Sequence, residues 1–556
     1  MSQQTEQRSG AAQAAVWLAV GLLALAAAWA LPVNLGSVTL PLLRKAGFGT
    51  PDLAAVGQEW VQSEKIGPAT LLLDAAEAIH DPGAPALRAS IASLAAKQSE
   101  LVAWGGWDPY LDPVLKLKRP GGAPSVSTPV IDFLVPEDAR DALRSYLANS
   151  RSLGVQSLLK LEDLNQTGRF VPAKEPGGQP LDTLILLSAL LYQGDHFSPA
   201  LQRQIRTMTD TALRQHQLGD LEGVFLDLLS LSRRLDWVQL CELLNRTEDT
   251  KTMGEYAHLA RVAPHELPLI YAAALYSSSA DRVAAYLLHY GKSGLADLRT
   301  AMGLGRGAAR LLVERQLPIN RSPVAGLSEA ASLGILYPRF SLVLRWLGFL
   351  VGAFALLKGL DRLLFRAQPG FGPALPHAKS GVLALLIGAL FALATEPYLL
   401  KAAPISEFKA HLLIPALTAQ PPSVTQHATT SPLAMDSSTL LSIAIFAALQ
   451  VVMYLICLLK IREIGRQDLS PALKLRLMEN EENLFDSGLY IGIAGTATAL
   501  VLQVLRIIEP NLLAAYSSNL FGITCVALVK IRHVRPYKRT LILESQGAAL
   551  QAQPAK

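Results

Sequence analysis

The stretch SGLYIGIAGTATALVLQVL, Ser487 to Leu505, is long enough to cross the core of a bilayer and carries no charged residue. Along it runs a stripe of small and hydroxyl residues: Gly488, Gly492, Gly495, Thr496, Thr498 and Ala499. A helix surrounded only by lipid gains nothing from such residues, because hydrocarbon is as apolar as leucine and small side chains merely lower the hydrophobicity. At helical spacing they let a second helix approach closely, or bring a polar atom to a shared centre. The stretch therefore reads as one member of a helical membrane bundle, and the expected fold class is all-α.

Composition agrees. The 556-residue chain is 51% hydrophobic and only 17% charged, with a mean hydropathy of +0.29, whereas soluble domains carry about a quarter charged residues. Segments 11–31, 341–360, 381–400, 440–459, 487–505 and 512–529 each reach about the 20 apolar residues a spanning helix needs. The expectation is a polytopic membrane protein with six transmembrane helices and a large α-helical domain, residues 32–338, between the first and second. Lys and Arg cluster beside segments two and three (Lys358, Arg362, Arg366, Lys379), in the loop 460–486 and in the tail 530–556. The positive-inside rule makes these regions cytoplasmic, together with the tail 1–10, and puts the loop 401–437 and the 32–338 domain outside. A bacterial inner membrane with a periplasmic helical domain is the compartment this suggests. The first segment has two readings: a retained anchor, or a signal peptide cut after Ala28-Trp29-Ala30.

Between residues 34 and 338 the chain reads as one amphipathic helix after another, separated by short Gly, Pro, Asp and Ser turns. Ser198-Pro199 marks a helix start, Asp182 is expected to cap LILLSALL, and ADRVAAYLLHYG, SGLADLRTAMGLG and GAARLLVERQLP form successive helices. Such a run is expected to pack as a hairpin array or solenoid-like domain. VIDFLV, residues 130–135, is the best candidate for a short strand.

No catalytic, cofactor-binding or metal-ligating constellation is legible in the sequence. His265-Glu266 begins like a zinc-protease helix, but Leu269 stands where the second histidine belongs. Gly303, Gly305 and Gly307 read as a helix–helix turn, since no Gly-Lys-Ser/Thr follows. His258 and His289 have no neighbour at ligand spacing, and of the three cysteines only Cys241 lies outside the apolar segments. The basic residues sit at membrane edges, so no nucleic-acid surface is expected. Arg345, Glu396 and Arg506 near segment ends are expected to snorkel to water.

On segment six, Ser517, Ser518, Gly522 and Cys525 repeat the small character of segment five, and the two faces are expected to meet or to line a common centre. Here GIAGTATAL (Gly492 to Leu500) and AYSSNLFGITCVAL (Ala515 to Leu528) resemble the last two helices of the MotA/TolQ/ExbB family of proton channels, over roughly residues 440–540. The resemblance implies a homo-oligomeric subunit in which Thr496 and Ser518 face a pore. It also implies a single-pass partner of ExbD/MotB type that supplies the acidic residue; the outer domain, which the family pattern lacks, is expected to bind an envelope partner or couple force to it. The sequence departs from the family in having a short cytoplasmic loop, three additional membrane segments and the outer domain, and no carboxylate lies in the middle of segments five or six. The other function class open at this point is a membrane-anchored helical scaffold or assembly factor that conducts no ion.

Overall fold

The computed structural model describes residues 2–33, 36–108, 127–321, 330–364, 374–396, 406, 408, 437–504 and 512–551. Of the described residues 78% are helical and almost none are in strands, the strands being Val38–Thr39 and Ile319–Asn320. It divides into two compact units, one of Met1–Leu42, Asn320–Ala402 and Val424–Lys556, the other of Leu43–Ile319 and Ala403–Ser423. Of the expected loop 401–437, only Ser406, Phe408 and Ser437 fall within the described residues.

In the second unit local sequence sets the helix ends. Ser198 caps Pro199–Gln215 by accepting the Leu201 N–H at 3.2 Å, and Asp249 caps Thr250–Val262 through the Thr252 N–H at 2.6 Å. Asp236 and Gln239 form a reciprocal capping box at the start of Trp237–Leu244. The ADRVAAYLLHYG and SGLADLRTAMGLG segments form one element, Ala280–Gly303, broken by a kink at Gly291, whose φ of 57° lies in the region that favours glycine. The following helix, Arg306–Arg315, starts after Gly305 at φ 115°, the helix–helix turn read from the glycines.

Two helices, Gln179–Gln193 and Leu267–Ser277, are buried almost all round, which marks the interior of a globular core. Ile66–Ala78 packs on Leu53–Gln62 and also on Leu267–Ser277, far along the chain. A solenoid contacts only its sequence neighbours, so the helices of this unit gather into a core in place of an open array.

Two local expectations are corrected. Residues Val130–Leu134 are helical, because Pro129 supplies the extended residue at the helix start and Val130, Ile131 and Leu134 bury one helical face. Asp182 is not a cap: Gly178 precedes the helix, and Asp182 lies within the first turns, where it meets Arg140 Nε at 2.8 Å and Arg144 Nη2 at 2.6 Å. The paired charges outweigh capping because Arg140 and Asp182 are both buried.

Among the described residues of the first unit, three helices are long and apolar enough to cross a membrane: Ala12–Ala30, Pro338–Arg362 and Ile443–Arg466. The remaining expected spans are helical over Ala374–Thr395, Ser487–Val504 and Leu512–Leu528. The Ser2–Ala30 and Pro338–Leu364 helices pack along their length. A methyl group built on Gly352 would lie 2.7 Å from Leu25 Cγ and one on Gly348 would lie 2.8 Å from Ala28 Cβ. This pair of glycines one turn apart allows the backbones to approach closely, and Arg362 Nη1 donates to Gln13 Oε1 at 3.0 Å between the same two helices.

Candidate functional site

The Ser487–Val504 and Leu512–Leu528 helices form a close hairpin beside Ser437–Arg466. A methyl built on Gly492 would lie 3.0 Å from the Ser518 carbonyl oxygen and 3.4 Å from Gly522 Cα. One on Gly522 would lie 2.6 Å from the Gly488 carbonyl, and one on Gly495 would overlap Ser518 Oγ. A side chain at Gly522 would run into backbone, and one at Gly492 or Gly495 would have to displace Ser518. The two small faces are in contact with each other within one chain.

Their polar atoms are paired at the same seam. Buried Ser518 donates to the Gly492 carbonyl at 3.2 Å across the hairpin. Thr496 donates to the same carbonyl at 3.0 Å, on its own helix, the back-bond that hydroxyls make in apolar helices. Gln450 Nε2 donates to the Gly488 carbonyl at 3.0 Å from the third helix. Ser517 is half-buried. Thr498 lies in the helix, with its side chain outside the described residues. At the charged end of the hairpin Lys530 Nζ meets Asp486 at 2.7 Å, and Tyr454 Oη lies 2.8 Å from His533 Nε2.

Arg345 and Glu396 do not reach to water separately. Both are buried, Arg345 Nη1 lies 3.4 Å from Glu396 Oε1, and Ser37 Oγ donates to Glu396 Oε2 at 3.0 Å. The Pro338–Leu364 and Ala374–Thr395 helices pack together, which brings the two charges close enough to neutralise one another. Arg506 lies outside the described residues.

In the second unit a cluster absent from the sequence reading assembles from three separate segments. Asp108, His196 and Cys241 place one ligand atom each within 4.8 Å of one another. Trp237 Nε1 donates to Asp108 Oδ2 at 2.7 Å, and His196 Nε2 lies 3.0 Å from that same oxygen. The His196 ring stands edge-on to Trp237 with centroids 5.2 Å apart. Trp237 and Cys241 are one turn apart on the Trp237–Leu244 helix, so they share a face. Burial, then the nearby Asp108, Glu242 and Asp236 carboxylates, push the Cys241 thiol well above its ordinary range. A thiol so placed is not an activated nucleophile. The i, i+4 spacing of Trp237 and Cys241 was the only sequence signal, and it names neither Asp108 nor His196.

No family model, curated protein or solved structure matches the chain. The class defined by the fold is that of a helical protein with apolar helices of membrane-spanning length, joined to a second helical unit with its own core.

Proposed function

We propose that the protein is a non-enzymatic, membrane-anchored helical scaffold whose six-helix membrane part holds an exported helical domain that binds an envelope partner. The observation that carries this reading is the fate of the small-residue stripe. Gly488, Gly492, Gly495 and Gly522 are used in backbone contact, and the Thr496 and Ser518 hydroxyls both end on the Gly492 carbonyl. Each hydroxyl has given its proton to that carbonyl and has only its lone pairs left to offer, and those of Ser518 are enclosed in the seam. The close packing of Ser2–Ala30 along Pro338–Leu364 supports a retained anchor over a cleaved signal peptide.

The test is co-purification of partners by the full chain and by a chain lacking residues 437–556, with membrane insertion checked for both. A scaffold keeps its partners after this deletion. Loss of partners from an inserted, folded truncated chain contradicts it.

A second reading, an oligomeric proton-channel subunit of MotA/TolQ/ExbB type completed by a single-pass partner, is supported by two atoms. Gln450 Oε1 and Asn519 Oδ1 are buried without a hydrogen-bond donor among the described residues. Carbonyl oxygens in that position call for a donor from water or from another chain. Discovery of a co-purifying single-pass protein with an intramembrane acid favours this reading over the first.

A further inference from the structure

We propose that Asp108, His196 and Cys241 form a zinc-binding site in the Leu43–Ile319 unit. Three residues of the types that ligate zinc, drawn from separate parts of the chain, converge with their donor atoms within 4.8 Å of one another. In a tetrahedral zinc shell with Zn–N and Zn–O near about 2.1 Å and Zn–S near about 2.3 Å, ligand atoms stand roughly 3.3–3.8 Å apart. The 3.0 Å between His196 Nε2 and Asp108 Oδ2 is already close to such an edge, and a contraction of about 1 Å brings the sulfur in.

The donor set selects the ion. One imidazole, one thiolate and one carboxylate suit zinc, whereas magnesium and calcium prefer oxygen alone. Charge selects it too: Asp108 and a Cys241 thiolate are two anions in a region where Asp108 and Cys241 are 8% and 6% exposed, and one divalent cation neutralises both. Lys65 and Arg246, the nearby cations, are bound to Glu242. Binding releases the thiol proton to solvent and takes the imidazole in its neutral form, with Nε2 as the donor atom.

The surroundings resemble the support that holds ligands in metal sites. The Trp237 indole N–H bonded to Asp108 Oδ2 holds the carboxylate in place. His196 is the most exposed of the three, its side chain 19% accessible, so an entering ion and a water in the fourth position both come from that edge. No hydrogen bond of the Cys241 thiol is found among the described residues, and a metal would give that sulfur a partner. The site is independent of how the membrane helices function.

The experiment uses the full-length protein in detergent, stripped with a chelator and titrated with Co²⁺ and then with Zn²⁺. The expected result is about one Co²⁺ per chain with a thiolate-to-cobalt charge-transfer band, displaced by Zn²⁺. C241S abolishes the band, H196A weakens Zn²⁺ at least about 100-fold, and Trp237→Phe weakens it about tenfold. Cys457→Ser and Cys525→Ser retain the band at full strength. A wild-type chain without the band overturns the proposal whatever the variants do, and so does a band that survives C241S. Zinc should also raise the apparent Tm of the wild type and leave that of C241S unchanged; an equal rise in both counts against the site.

Discussion

At Asp236 the sequence is locally explicit and its environment is not. The order Asp-Trp-Val-Gln announces a capping box, and Asp236 Oδ1 accepts the Gln239 N–H at 2.8 Å while Gln239 Oε1 accepts the Asp236 N–H at 3.0 Å. Tertiary packing then closes over the carboxylate: methyl groups built on Gly67 or Gly105 would overlap its oxygens. Burial pushes the Asp236 carboxyl up to about 8. A carboxyl raised in the folded state stabilises fully below its unfolded value, 3.8, and loses that contribution as pH rises towards about 8. Wild type should therefore lose stability relative to Asp236→Asn across that window, by a few kcal/mol in all, with the gap levelling off above it. Apparent Tm against pH for the two proteins measures this, and a constant gap would refute it. Asp182 shows the opposite failure of local reading. Asp182→Ala leaves Arg140 buried without its carboxylate and should destabilise the unit by about 3–5 kcal/mol, seen as an earlier urea transition; a change below about 0.5 kcal/mol would show that the pair matters little.

Among elements, the hairpin of Ser487–Val504 and Leu512–Leu528 was legible because its glycines and hydroxyls recur in helical phase within uncharged segments. What phase alone did not reveal is that Thr496 turns back to its own helix, since a hydroxyl has carbonyls to bond on either side. Gly492→Val places its side chain against the Ser518 carbonyl and should part the hairpin, costing about 1–3 kcal/mol or more. Thr496→Val is nearly isosteric and removes the back-bond without opening the seam, so its effect should stay within about 0.5 kcal/mol. Thermal aggregation of the two variants in detergent compares them directly; equal loss in both would contradict the packing described. The seam made by Gly348 and Gly352 was not recognised, because the large residues of FLVGAFALL dominate that segment and only the facing Leu25 and Ala28 give its glycines a role. VIDFLV misled for a simpler reason. Its five apolar residues favour strand by propensity, but their burial follows a helical face.

At the scale of the whole molecule, the all-α class and the apolar helices were legible because composition and segment length are properties of the sequence itself. Pairings across the chain were not. Arg345 and Glu396 look like two independent snorkelling residues until their helices pack, and Asp108, His196 and Cys241 carry no spacing motif at all. The compact core that joins Ile66–Ala78 to Leu267–Ser277 is likewise a long-range fact. The central claim is that the stripe on segments five and six is a dry joint closed within one chain. It is tested most directly by introducing Thr496→Cys or Ser518→Cys into a chain whose three native cysteines are replaced, and exposing membranes to a charged, membrane-impermeant thiol reagent. The account predicts no labelling at either position while a control cysteine at exposed Arg535 is labelled in opened membranes. Rapid labelling at position 496 or 518 would contradict it and place water along the stripe.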